Sequence, residues 1–286
     1  MLSNADEIRE ALDASVLADR DVQRVPIPGT AEVGFELNIG DLDAVAAWHA
    51  AREALRRTGR WPLLVDVVGE DVYSRHFYPN TGDQSPAAII ERAGSISWPD
   101  GRRRPEFPPE DWERVVGGEA VTTKRRNGQA PSVTELLEQV STPDWHALDA
   151  FLLAWEEDQR PTTGREYGGP PDLPWGLTQV SRLVLLPSDC PSVVPAYTHF
   201  WGAGGNGGGS ERLVSALRSW HHRYGAEPCA ATGVTLTFAV RRPPTELRDA
   251  WQLVTEMESF IKLDDSIRER ARSLLGYEWW ELYDRP

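Results

Sequence analysis

Residues 200–244 constrain the fold more than any other stretch, because four structural signals follow one another without a gap. The aromatic pair Phe200-Trp201 leads into a glycine run, Gly202 to Gly209, interrupted by Ala203 and Asn206. Ser210 can start a helix, and Leu213, Leu217, Trp220 and Tyr224 recur on one helical face. Gly225 stops that helix, since glycine adopts the left-handed conformation of a helix end without a Cβ clash. Cys229 to Thr232 and Val234 to Val240 then flank Gly233 and read as a hairpin. Val234, Leu236, Phe238 and Val240 alternate with Thr235, Thr237 and Ala239, the pattern of a strand buried on one face. Pro243-Pro244 ends it. A helix and a hairpin joined through one glycine and each apolar on one side call for a helix packed on a sheet.

The flanking sequence extends this theme. Thr245 caps a helix carrying Leu247, Trp251, Val254, Met257 and Ile261, and Asp264 or Asp265 starts a shorter one with Ile267, Ala271 and Leu274. Tyr277 to Tyr283 forms a closing aromatic strand, and Gln179 to Leu186, stopped by Pro187, an earlier one. Near the N-terminus, residues 5–19 read as a helix with Ile8, Leu12 and Leu17 on one face. Val33 to Ile39 alternates as a strand. Asp41 opens a helix that Thr58-Gly59 ends, and Trp61 to Val68 is an apolar strand buried on both faces. If those two strands are parallel neighbours, they form a right-handed crossover. Residues 69–131 are rich in turn residues and read as a surface insertion with a short helix at 85–93. Arg102-Arg103-Arg104 and Lys124-Arg125-Arg126 fall there in solvated loops. Ser132 and Glu135 have capping-box spacing, and Thr142-Pro143-Asp144 opens a helix with Leu148, Phe151, Leu152 and Trp155. The expected class is α+β: a mixed β-sheet with helices packed mainly on one face, plus an N-terminal strand-helix-strand region. The expected division is an N-terminal α/β region at 1–157, a Pro/Gly-rich linker at 158–176 and a C-terminal α+β domain at 177–286.

Charge narrows the function. The chain of 286 residues carries 44 acidic against 30 basic side chains, a formal net charge of -14. That excludes sequence-independent nucleic-acid binding, which needs a basic face to displace counterions. No apolar run nears the roughly 18 residues that a membrane-spanning helix needs. The polar N-terminus and two cysteines, Cys190 and Cys229, fit a cytoplasmic protein without a disulfide framework.

Motifs that carry chemistry are few. The glycine run before Ser210 suggests an anion-binding loop, but it lacks a P-loop lysine and Glu211 follows it. His221 and His222 point about 100° apart on a helix, and neither they nor His199, Cys190 and Cys229 have zinc-ligand spacing. No metal and no cofactor is therefore expected. The candidate binding residues are Trp201, Asn206, His221, Arg223, Glu227 and Arg242, around the loop at 202–209 and the helix at 210–224.

Trp220-His221-His222-Arg223-Tyr224-Gly225-Ala226-Glu227, Arg242-Pro243-Pro244-Thr245 and the aromatic C-terminus resemble a bacterial family, the domain of unknown function numbered 4253. The resemblance covers about residues 180–286, with a local echo at Thr58-Gly59-Arg60-Trp61-Pro62-Leu63-Leu64. It departs at the loop, where Gly204-Gly205-Asn206-Gly207 stands in place of a Gly-Gly-Trp-Asn type sequence, and after Phe260, where a cysteine is lacking. The resemblance implies a fold and a bacterial origin but no activity. The leading functional expectation is a non-enzymatic protein that binds or neutralises a basic protein partner, such as a toxin, by charge complementarity. The alternative is a small-molecule-binding domain or enzyme with its pocket at the loop and helix.

Overall fold

Leu183, Val184, Leu185 and Leu186, all fully buried, lie in the interior of the sheet. They belong to strand β4 (Val180–Leu186), which runs antiparallel between β2 (Val33–Asn38) and β3 (Trp61–Asp66), pairing Leu185 with Phe35 and Val184 with Leu63. The computed structural model describes residues 1–27, 30–40, 42–66, 84–100, 108–159, 174–178, 180–204, 208–261 and 266–284. Within these residues β1 (Val22–Pro26), β5 (Ala226–Ala231), β6 (Thr235–Val240) and β7 (Trp279–Tyr283) complete a seven-stranded mixed sheet of order β1-β2-β4-β3-β5-β6-β7. The pair β3 and β5 is parallel and the others are antiparallel. Strands from both sides of the Pro/Gly-rich stretch thus share one sheet; residues 160–173 of that stretch lie outside the described residues.

β2 and β3 do point the same way, but they are not neighbours. A third strand, buried on both faces over Leu183 to Leu186, separates them, because such a strand gains most between two partners. β1 has no counterpart in the sequence reading. It is an edge strand with mostly exposed side chains, so it carries little alternation to detect.

The helices follow their caps. α1 (Ala5–Leu12) begins where the Asn4 side chain accepts from Asp6 N, and it ends well short of residue 19. There Ser15 Oγ donates to Leu12 O and accepts from Leu17 N, drawing the backbone into a turn, yet Ile8, Leu12 and Leu17 are all buried as expected. α2 (Ala44–Glu53) is capped by Asp43, which accepts from Ala46 N at 2.7 Å; Asp41 lies outside the described residues. A short α3 (Leu55–Thr58) follows, closed at Gly59. α4 (Pro86–Ala93) occupies the helix expected there. α5 (Trp112–Asn127) was hidden among turn residues, and it corrects the loop reading of Lys124-Arg125-Arg126. Those residues form its last turn, where positive charge meets the helix dipole, and Arg126 pairs with Glu269 at 2.6 Å. Arg102 to Arg104 lie outside the described residues. α6 (Val133–Gln139) has the full Ser132/Glu135 capping box, and α7 (Trp145–Gln159) starts where Asp144 accepts from Ala147 N.

The C-terminal half adds α8 (Trp175–Thr178), α9 (Val194–Tyr197), α10 (Trp201–Gly204), α11 (Ser210–Tyr224), α12 (Leu247–Met257) and α13 (Ile267–Leu274). α11 ends at Gly225, whose φ of 63° is the left-handed cap the sequence calls for. Its Trp220 and Tyr224 meet Phe238 and Trp280 edge-on, at centroid distances of 6.2 and 5.2 Å. On the opposite side of β6, Gly176 of α8 lies so close that a Cβ would fall 2.6 Å from Thr237 Oγ1. That is why Thr235 and Thr237 are fully buried and β6 is not the one-faced strand its alternation suggests. The helices on the α11 side are the larger group.

A second, smaller core joins α5, α6 and α7 through Trp112, Val116, Leu136, Leu148 and Leu152. Arg268 of α13, fully buried, ties it to the main body. Its guanidinium contacts Asp149, Glu156 at 3.2 Å and Glu119 at 3.2 Å. Burial alone would lower its pKa, but the attraction of Asp149, Glu156 and Glu119 outweighs that and raises it. Replacing Arg268 with Met would leave carboxylates buried without their cation, and we expect a loss of about 3–5 kcal/mol in urea unfolding. Tyr197, whose hydroxyl donates to Pro187 O, is pushed up to about 12 by burial and by the Glu32 carboxylate. A raised folded pKa keeps its stabilisation below the unfolded value near 10 and loses it as pH rises towards 12. A Tyr197→Phe variant should therefore show a shallower fall in stability than the parent in urea melts between pH 10 and 12.

Candidate functional site

α11 presents two arginines to the same flank. Arg212 and Arg223 stand eleven positions apart, about three helical turns, so their side chains lie on one side. Across them runs the segment Ser95 to Asp100, held at three points. Ser215 Oγ donates to Ile96 O at 2.9 Å. Arg212 donates to both carboxylate oxygens of Asp100, at 2.5 and 2.8 Å, in the forked geometry that gives such pairs their specificity. Trp98 Nε1 donates to Glu256 of α12 at 2.8 Å.

Glu256 gathers the arrangement. Its Oε2 accepts from Trp98 Nε1, from Trp220 Nε1 at 2.7 Å and from Arg223 Nη2 at 2.5 Å. Trp98 also stacks on Phe260, with the ring planes 24° apart, and the Arg212 guanidinium lies 5.2 Å from its centroid. One carboxylate oxygen thereby fixes two indoles and a guanidinium, one indole from the Ser95 to Asp100 segment and the other two groups from α11.

Between this segment, α11 and α12 lies a cleft of about 470 Å³, within the size range of small-molecule sites. Trp98, Arg223, Trp251, Thr255, Glu256 and His146 are among its walls. A second, more open hollow of about 580 Å³ lies on the other side of Pro99 and Asp100, against Gly208, Glu211 and Arg212. The two flank the same short segment. No group of three or more His, Cys, Asp or Glu residues that could hold a metal ion occurs among the described residues.

The residues singled out from the sequence go to several places. Arg223 lines the cleft. His221 does not: its Nδ1 lies 3.1 Å from Ala226 O, at the turn into β5. Glu227 is nearly fully buried and accepts from Arg52 at 2.8 and 2.9 Å and from Arg241 at 2.7 Å, so it joins α2 to the hairpin. Arg242 donates to the carbonyls of His222 and Arg223, closing the end of α11. Trp201 meets His199 edge-on, and its backbone N–H donates to Gly233 O. Asn206 lies outside the described residues. Trp98, Asp100, Arg212, Trp251 and Glu256 escaped the sequence reading. Trp251 was absorbed into the apolar stripe of its helix, Glu256 was one of 44 acidic side chains, and Trp98 stood in a turn-rich stretch.

Two groups near the cleft and the hairpin keep their protons. Burial, with a hydrogen bond to Asp249 at 2.6 Å, raises the Tyr224 pKa, and burial pushes the Cys229 thiol up. Cys229 is thereby unsuited to nucleophilic work, since the thiolate is the reactive form.

No helix among the described residues is long and apolar enough to cross a membrane. No curated protein and no solved structure matches the chain. A family model does match part of it, from β4 to β7, a span that holds Arg212, Arg223, Trp251 and Glu256 but not Trp98 and Asp100. Residues 182–283 match the model of a domain of unknown function, DUF4253.

Proposed function

We propose that this protein binds a small molecule in the cleft between the Trp98–Asp100 segment, α11 and α12. The observation that carries this reading is the preorganisation of the cleft by Glu256, which holds Trp98, Trp220 and Arg223 in place at no cost to an incoming ligand. The charges at the cleft are paired, Arg223 with Glu256 inside it and Asp100 with Arg212 behind its wall. Of the pocket expected at the loop 202–209 and the helix 210–224, this reading keeps the helix and its Arg223 and leaves out the loop and His221.

A protein partner has less to support it. The large apolar residues exposed among the described ones are Met1, Val16, Val121 and Tyr283, each in a different part of the chain. A basic partner attracted by the net charge of -14 remains the competing outcome of the test.

A ligand that binds only the folded state raises the melting temperature. In a thermal-shift screen of metabolites, we expect at least one compound to shift the parent protein by several degrees. Trp98→Ala should abolish that shift and Val121→Ser, outside the cleft, should preserve it. If no compound shifts the protein while a basic protein co-purifies in stoichiometric amount, the cleft is not the working site.

A further inference from the structure

The hydrogen-bonding chemistry of the cleft selects among ligands. Resting on the reading of the cleft as a binding site, we propose that its ligand is an uncharged, planar nitrogen heteroaromatic ring with an N–H donor beside a ring acceptor, as in a nucleobase or nucleoside.

The indoles come first. Trp98 and Trp251 both line the cleft, and both spend their N–H inside the protein, on Glu256 at 2.8 Å and on Asp149 at 2.5 Å. What each ring offers the cavity is therefore carbon and π surface, suited to a flat partner.

The hydroxyls come second. Thr255 Oγ1 donates to Trp251 O at 2.9 Å, and Ser259 Oγ donates to Glu256 O at 2.7 Å. With their protons committed to the helix backbone, both oxygens face a ligand as acceptors. A phosphate or carboxylate ligand would meet lone pairs there, whereas a ligand N–H is satisfied.

The third observation is an adjacent donor and acceptor. All the hydrogen bonds of Glu256 end on Oε2, so Oε1 accepts none among the described residues. Beside it Arg223 commits Nη2 to Glu256 and buries Nε out of a ligand's reach, which leaves the N–H groups of Nη1, without an acceptor among the described residues, to face a ligand. A carboxylate oxygen next to a guanidinium N–H matches a ring edge that carries an amino N–H beside an unprotonated ring nitrogen. Because that cation is already paired with Glu256, the site has no net positive charge to offer a phosphate.

The test is calorimetric titration of the full chain with adenosine, cytidine, N6,N6-dimethyladenosine, adenosine monophosphate and inorganic phosphate. We expect adenosine or cytidine to bind at least tenfold tighter than the monophosphate. Dimethylation, which removes the amino N–H, should cost adenosine at least tenfold. Arg223→Met should weaken binding by a similar factor. Since Arg223 also contacts Glu256, Thr255→Val serves as a second variant that leaves that contact intact and should weaken binding severalfold. Equal binding of the dimethylated compound, or tighter binding of the monophosphate or of phosphate, would overturn the ligand class. So would a thermal-shift hit of another chemistry that depends on Trp98 when none of the nucleosides binds; in that case the cleft stands and only its assigned ligand falls. Nucleoside binding insensitive to Trp98→Ala would overturn both readings.

Discussion

The interior strand β4 is the constraint on which the rest depends. β4 supplies four consecutive buried aliphatic side chains and pairs with β2 on one edge and β3 on the other. A strand covered on both faces and both edges leaves no backbone group to water, so its N–H and C=O groups must all be met by neighbours. The position of β3 beside β4 then places β5 next in the sheet, and β5 carries the hairpin and α11 with it. Trp61 reinforces that step, its indole donating to Pro228 O at 2.9 Å.

Local chemistry was legible in the sequence wherever the signal and its cause lie within a few residues. The Ser132/Glu135 box, the stop at Gly225 and the hairpin about Gly233 all depend on neighbours in the chain, and each is where the pattern put it. Strand order is different. Nothing within residues 33–66 records that residues 180–186 will enter between two of its strands, because burial on both faces fixes a strand's depth and not its partners. The length of α1 and the existence of α5 were lost for a related reason. In the first a serine side chain competed with the helix, and in the second a pair of glycines and a polar surface masked the period.

The cleft was the least legible part. Its walls are residues of ordinary appearance, far apart in sequence, whose meaning appears only when Glu256 meets Trp98 across 158 positions. Arg223 was within reach because it sits on the conspicuous helix, whereas His221, Glu227 and Arg242 turned out to secure the junction between α11 and the hairpin. Charged residues in this protein often act as rivets between elements, as Arg268 also does. A sequence pattern records their presence and not their partners.

The place of β4 also bears on how the chain is made. Synthesis proceeds from the N-terminus, so β2 and β3 leave the ribosome long before the strand that will lie between them. Until residue 186 has emerged, two apolar strands must wait without their shared neighbour, and the pairing that joins them is of high sequence separation, the kind that slows folding. More than a hundred residues of elongation separate the end of β3 from the start of β4, an interval in which unpaired apolar strand edges are open to wrong pairing.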